Sequence, residues 1–308
     1  MYEIQTDVVI VGGGPAGLSA AVAAKKEGAE KVLIIERDEK LGGILQQCIH
    51  PGFGLTYFHK ELTGPEYAGH FKEEALALGA EVLLNSMVLE VIPEESAVIC
   101  VNSEYGMTKV KAGSIVLAMG CRERTRAGIM IPETEEFIPC DTLLLSVGLI
   151  PENELSRGAD VKISRITNGP EVNQYMQTSW DNVFACGNVV HVNDLVDNVT
   201  VESMNAGASA ARYAMHKLPE ANREVPSVTG ENVRYLCPQR VKIGEENETV
   251  RLFFRVLHPE LDVVIRVKSG DKVLSEKKAK RVNPGEMCHV EVKTAEITGD
   301  DVTVEVVK

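Results

Sequence analysis

The chain has 308 residues, 44% of them hydrophobic and 25% charged, with a formal net charge of −13. That is material for a large buried core in about two domains, and the acidic excess argues against nucleic acid as a partner. No apolar run reaches the ~18–20 residues of a membrane span, and Met1-Tyr-Glu-Ile-Gln-Thr6 has no basic region to open a signal peptide.

Asp7-Val-Val-Ile-Val11 predicts a strand buried on both faces of a parallel sheet. It leads into Gly12-Gly13-Gly14-Pro15-Ala16-Gly17, which fits G-x-G-x-x-G. Ala20, Ala21, Ala23 and Ala24 predict a helix, and Gly28 suits its stop. Lys31-Val-Leu-Ile-Ile-Glu36 predicts a second strand ending in an acid 19 positions after Gly17. In this order the pieces point to a dinucleotide. Gly12 permits a tight turn, Gly14 lets backbone approach a pyrophosphate, and Gly17 lets the helix pack on the sheet. The helix N-terminus favours the phosphates, and Glu36 can accept hydrogen bonds from a ribose diol.

Further on, Ser114-Ile-Val-Leu-Ala-Met-Gly120 and Asp141-Thr-Leu-Leu-Leu-Ser-Val-Gly148 read as two glycine-ended strands with only 20 residues between them. Asn182-Val-Phe-Ala-Cys-Gly-Asn188 reads as a short strand closing on Gly-Asn, and the alanine-rich stretch Val199 to Lys217 as a helix. After Ser227 the pattern changes to period two. Val250–Val256, Asp262–Lys268, Lys272–Lys277, Cys288–Lys293 and Val302–Val306 are punctuated by turns such as Ser269-Gly-Asp271. About six short strands suggest a small antiparallel sandwich or barrel. His258, Cys288 and His289 are scattered there, so an interaction or dimerisation role is expected. From Glu231 onward acids and bases balance at 14 each, which leaves the whole negative charge on the first 230 residues. The seven cysteines form no C-x-x-C, so neither zinc nor a disulfide framework is indicated, and a reducing cytoplasm is the expected location.

Gly42-Gly-Ile-Leu-Gln-Gln-Cys-Ile-His50, Gly52-Phe-Gly54, Leu62-Thr-Gly-Pro-Glu-Tyr67, Gly120-Cys-Arg-Glu-Arg-Thr-Arg126, Leu143–Leu155 and Ala185-Cys-Gly-Asn188 together resemble one group. They are similar to bacterial NAD(P)/FAD-dependent oxidoreductases of the glutathione reductase-like superfamily, encoded beside glycerol-3-phosphate dehydrogenase-type flavoproteins. That group is related to the small FAD subunits of opine oxidases and hydrogen cyanide synthase. The resemblance implies an α/β, Rossmann-like FAD-binding domain over residues 1–228 and an all-β domain over 229–308. It implies FAD held by Gly12, Gly14, Pro15, Ala16, Gly17, Glu36 and Arg37, with Gly42 and Gly43 along the pyrophosphate. Val88, Ala118 and Gly120 are further cofactor-binding positions, and Gly187 and Asn188 belong to the second FAD signature. The turn around Thr200 and Val201 would face the flavin pyrimidine, where a helix dipole stabilises negative charge.

The chain departs from that group in one place. Its members carry a nicotinamide-nucleotide domain after the Arg-Glu-Arg-Thr-Arg segment, whereas here Ile131-Pro-Glu-Thr-Glu-Glu-Phe137 runs straight on. A domain of roughly 100–130 residues is therefore expected to be missing near 128–136, by natural loss or by excision. Gly128 to Glu136 would then be a short connection, and Arg122, Arg124 and Arg126 would line the cofactor or the former junction.

Two residues are candidates for chemistry. Disulfide reductases of the superfamily place a redox cysteine shortly after the Gly-Gly turn, where this chain has Cys48, but Ile44 or Leu45 occupies the position of the second cysteine. A single cysteine can cycle through sulfenic acid, or simply fill a core. His50 is the nearby acid–base candidate. Three readings follow: an FAD module exchanging electrons with a partner flavoprotein, electron-transfer subunit or small molecule; a self-sufficient oxidase or peroxidase using Cys48; or a noncatalytic FAD-holding scaffold. A second copy of the chain is a further expected partner.

Overall fold

The computed structural model describes residues 1–123, 133, 135–142 and 148–308. Its first layer grows from the apolar run near the N-terminus. Strand β1 (Tyr2–Val11) is buried over its last four residues, because parallel neighbours flank it there on both sides. β2 (Val32–Ile35) pairs with it from Val8↔Val32 to Val11↔Ile35, and β3 (Glu81–Leu83) extends the sheet beyond β2. On the other side lies β6 (Gly106–Leu117), parallel to β1 along its whole length. β7 (Val183–Ala185) joins the last residues of β6, again in parallel. Such doubly covered strands need no alternation, which is why they read as solid β-branched runs.

The lower half of β6 turns back antiparallel onto β5 (Ala97–Asn102), which pairs with β4 (Ser86–Ile92). The sheet is thus mixed, in the order β3-β2-β1-β6-β5-β4 with β7 beside β6. Helix α1 (Pro15–Glu27) lies on it through fully buried Leu18, Ala20, Ala21 and Ala24, and Gly28 closes it in a left-handed conformation. Helix α2 (Gly64–Ala77) begins with a reciprocal cap: Thr63 Oγ1 accepts from the Glu66 N–H, and Glu66 Oε2 accepts from the Thr63 N–H. It buries Tyr67 and Phe71 against Tyr57 and Phe58.

Helix α3 spans Val196–Ala214. It starts before the expected Val199, because Leu195 is still extended while Asp197, an acid suited to a first turn, is already helical. Thr200 and Val201 consequently lie in the second turn, not the first. The expected strand at Ser114–Gly120 is the end of β6, which stops at Leu117. Leu143–Val147 of the strand expected at 141–148, Arg124, Arg126 and most of 128–136 lie outside the described residues.

The C-terminal part is a sandwich of two sheets. One has the order β10-β8-β15-β12-β13 and the other β9-β11-β14. The strands are β8 (Arg223–Thr229), β9 (Val233–Cys237), β10 (Arg240–Ile243), β11 (Thr249–Val256), β12 (Glu260–Ser269), β13 (Lys272–Val282), β14 (Cys288–Lys293) and β15 (Val302–Val307). β8, β9 and β10 are strands that the alternation does not reveal. The sandwich is also not purely antiparallel, since β8 and β15 pair in parallel from Ser227↔Val302 to Thr229↔Val304. Its core is separate from that of the first layer and is made of valines, Phe254, Leu236, Leu252 and Ile265.

The two parts are joined by directed hydrogen bonds. The Val172 N–H donates to Gln239 Oε1 and the Gln239 N–H donates to the Val172 carbonyl; Gln174 and Lys242 are paired in the same reciprocal way. Nearer the end of β7, Arg255 donates to the Val192 carbonyl and the Met287 N–H donates to Asp194.

Candidate functional site: a dinucleotide cradle

The cradle forms where β1 ends. A Cβ on Gly17 would sit 1.8 Å from the Gly12 carbonyl oxygen, so only glycine lets α1 start directly behind the turn. The Ala118 N–H donates to the Val11 carbonyl, which sets the end of β6 against Gly12. Helix α1 starts at Gly14 without a side-chain cap, with Pro15 in its first turn and no acid there. Its positive end is therefore left to an anion. Ala16 is buried beneath it.

Glu36 stands at the end of β2 and is only 6% exposed. Its Oε2 accepts from the Gly13 N–H at 2.7 Å and its Oε1 from the Asp38 N–H at 2.9 Å. The acid thus braces the turn. Arg37 beside it is exposed. The Gly42 N–H donates to the Gly13 carbonyl, and Gly43 packs on Gly14, so the second glycine pair forms a wall of the same cradle. Val88 is buried on β4, next to the segment in which the Ser86 N–H bonds the Glu36 carbonyl. Gly120 follows Ala118 with open space around its Cβ position.

The second signature lies across β6. Gly187 has φ +74°, in the left-handed region, and its N–H donates to Glu202 Oε1 at 2.6 Å. A Cβ there would press on Ala16 at 2.8 Å, so this turn packs directly on the start of α1. Asn188 accepts from the Asn193 N–H and reaches Cys121 Sγ at 3.5 Å. Thr200 is buried and hydrogen-bonded to the Tyr67 hydroxyl, while Val201 is partly exposed. The fold therefore brings Gly12, Gly14, Gly17, Gly43, Ala16, Ala118 and Gly187 to one place, whereas Thr200 is engaged with α2.

Cys48 ends a short 3-10 turn (Gly43–Gln47), and its thiol reaches the Ile44 carbonyl at 3.5 Å. His50 is exposed, in hydrogen-bond contact with the Pro51 carbonyl and tilted against the Phe53 ring. Arg122 pairs with Glu152 and Glu154 at 3.4 and 3.6 Å.

One group was not legible from spacing. His191, Glu202 and Cys237 are buried together, and their donor atoms lie within 4.8 Å of one another. His191 Nε2 contacts Glu202 Oε2 at 2.7 Å, and its Nδ1 faces the Tyr235 hydroxyl at 3.4 Å. Burial disfavours a charged imidazole, but Cys237 and Glu202, by charge and hydrogen bonding, outweigh it and hold His191 well above the usual histidine range. Burial in turn pushes the Cys237 thiol up, against the pull of His191. Among the described residues no helix is long and apolar enough to cross a membrane.

Solved structures share this fold. A thioredoxin reductase from Gloeobacter violaceus superposes with a TM-score of 0.54 at 16% identity, over 70% of this chain and 96% of that one. The thioredoxin reductase of T. acidophilum gives 0.56 at 16% identity, over 68% and 99%. Among curated proteins, the hydrogen cyanide synthase subunit HcnB of Pseudomonas protegens is 33% identical over 125 residues, 38% of this chain and 25% of that protein. A 34.2 kDa protein in the rubredoxin operon of Clostridium pasteurianum is 29% identical over 139 residues, 44% of this chain and 41% of its own length. The chain thus spans less than half the length of these relatives. The sequence model of one family, described as pyridine nucleotide-disulphide oxidoreductase, matches residues 6–132 and 125–208. FAD is the cofactor carried by this fold, and the uncapped α1 terminus, the open approach at Gly14 and the acid after β2 fit its pyrophosphate and ribose. With two thirds of its residues matched, the chain belongs to the pyridine nucleotide-disulphide oxidoreductase family.

Proposed function

We propose that the chain is an FAD-binding electron-transfer module fed by a partner protein or a small-molecule donor, without a nicotinamide-nucleotide domain of its own. The carrying observation is the antiparallel pairing of Cys121–Glu123 with Leu149–Pro151, in the register Leu149↔Glu123 to Pro151↔Cys121. The chain leaves the FAD layer and returns to it at adjacent points, as inserted domains require. Only residues 124–148 lie between them, far fewer than the roughly 100 of a typical domain. The two-part family match, meeting at 125–132, supports the same reading.

In this reading residues 1–228 hold FAD non-covalently and 229–308 serve interaction. The α1 terminus and Gly14 take the pyrophosphate, Glu36 the ribose, and the Gly187-Asn188 turn the ribityl side. Bound there, FAD supplies the redox chemistry, while the protein sets its access and potential. A partner is supported by relatives named as a subunit and as part of a rubredoxin operon. Cys48 and His50 remain the candidates for thiol and proton chemistry; a Cys48→Ser variant that keeps full flavin turnover removes the thiol from the mechanism.

The purified protein should be yellow and release FAD on denaturation. Hydride transfer needs reacting atoms held about 3–3.5 Å apart, and without a domain to hold the nucleotide that geometry is not maintained. In stopped-flow absorbance at the flavin band, dithionite should reduce the protein fully. NADH and NADPH should act slowly, with linear concentration dependence. Fast, saturable bleaching by either nucleotide would overturn the proposal.

A further inference from the structure

We propose that the C-terminal sandwich positions the second glycine turn of the cofactor cradle through a buried hydrogen-bonded chain running Tyr235–His191–Glu202–Gly187. This rests on the reading of that turn as a flavin contact. Three contacts make up the chain. Tyr235 on β9 meets His191 Nδ1 at 3.4 Å, His191 Nε2 meets Glu202 Oε2 at 2.7 Å, and Glu202 Oε1 accepts from the Gly187 N–H at 2.6 Å. His191, Glu202 and Tyr235 are 1%, 4% and 8% exposed, so the chain is largely shut away from water.

The rings around His191 also come from the sandwich: Tyr235 at 5.8 Å and Phe253 at 6.0 Å, both edge-on. The same segment is gripped twice more, by Arg255 on the Val192 carbonyl and by Asp194 receiving the Met287 N–H. Residues 191–194 therefore lie between the sandwich on one side and Gly187 and the start of α3 on the other. A sandwich that shifts or detaches would release both. The groups that face His191 are Glu202 from α3, Tyr235 and Cys237 from β9, and the uncharged Phe253 ring from β11.

The 2.7 Å separation of Nε2 and Oε2 is a hydrogen-bond length, so a shared proton closes the contact. Its charged and hydrogen-bonded neighbours hold the imidazole above its ordinary range, which favours the contact with Glu202. The charged form is lost only as pH rises through that raised value.

The test uses the full chain and its flavin-free form, with two readouts: FAD affinity by fluorescence titration, and hydrogen exchange at the Gly187 amide. His191→Asn and Tyr235→Phe break successive links. His191→Asn should weaken FAD binding roughly tenfold and speed Gly187 exchange by a similar factor. Tyr235→Phe should give a smaller change in the same direction. Arg251→Ala, in an exposed pair with Glu291 on the sandwich, should change neither.

If His191→Asn does not fold, Tyr235→Phe carries the test with the same two readouts. Unchanged FAD affinity and Gly187 protection in both His191→Asn and Tyr235→Phe would overturn the proposal. So would a stoichiometric metal ion lost on Cys237→Ser, since a metal would then make the bridge. Failure of the parent to bind FAD would instead sink the cofactor reading, leaving amide exchange to judge the link.

Discussion

Two glycine turns build the cradle, and both are braced in the same way, by a backbone N–H donated to a buried glutamate. At the first, Gly13 meets Glu36; at the second, Gly187 meets Glu202. The difference lies in what holds each carboxylate. Glu36 is fixed by its own strand and by the next turn of chain, through the Asp38 N–H. Glu202 is fixed by a histidine, and that histidine by the C-terminal sandwich. The first turn is a local device that any correctly paired β1–β2 unit would form. The second depends on the docking of the sandwich, so it is the place where events in one part of the molecule reach the other.

Removing the braces should separate the two. Glu202→Ala leaves His191 buried without its carboxylate and the Gly187 N–H without an acceptor. Loss of one partner of a buried pair costs about 3–5 kcal/mol, and urea unfolding should show it as a lowered midpoint. Gly17→Ala places a methyl against the Gly12 carbonyl, at a position 1.8 Å from its oxygen. The overpacked turn should lose about 3 kcal/mol of stability and most of its flavin, read by the absorbance of the purified protein. Glu36→Ala leaves the buried Gly13 N–H and the Asp38 N–H without their acceptor and should cost about 1–3 kcal/mol. Its effect should fall on FAD affinity while Gly187 exchange stays unchanged; equal effects on both turns would erase the difference between them.

The pH response should sharpen the same contrast. His191 is raised in the folded state, so its contribution is complete below the ordinary histidine range near pH ~6.5 and fades as pH rises through the higher folded value. Thermal unfolding of the parent protein should therefore show an alkaline loss that His191→Asn lacks. The smallest effect expected is that of Arg122→Ala. Its pairs with Glu152 and Glu154 are exposed and longer than 3.3 Å, and their loss should cost less than about 0.5 kcal/mol.

Much of the first layer could be read from the chain because its determinants are short-range. The run Asp7–Val11, the glycine triplet, the alanine helix stopped at Gly28 and the acid at Glu36 all appear in the structure where the pattern put them. Five strands of the sandwich were legible by alternation. The others were not, for identifiable reasons. In β8, Pro226 sits where the strand changes partner, from β10 before it to β15 after it, and a proline argues against a central strand. In β9 a register shift between Val233 and Tyr235 breaks the period of two. Thr63-Gly-Pro-Glu66 carries a capping signature for α2, yet it precedes a helix whose apolar face is short.

What the sequence determined by itself is the set of units whose hydrogen bonds close within a few residues, or between strands that must be parallel because both their faces are apolar. A dinucleotide turn is such a unit, and it announces its ligand class. Tertiary structure alone decided that positions 191, 202 and 237 meet, because no periodicity relates a residue after β7, one on α3 and one on β9. Their convergence follows from docking the sandwich over the end of the first layer, where a polar group shut away from water must find its partner wherever in the chain that partner lies.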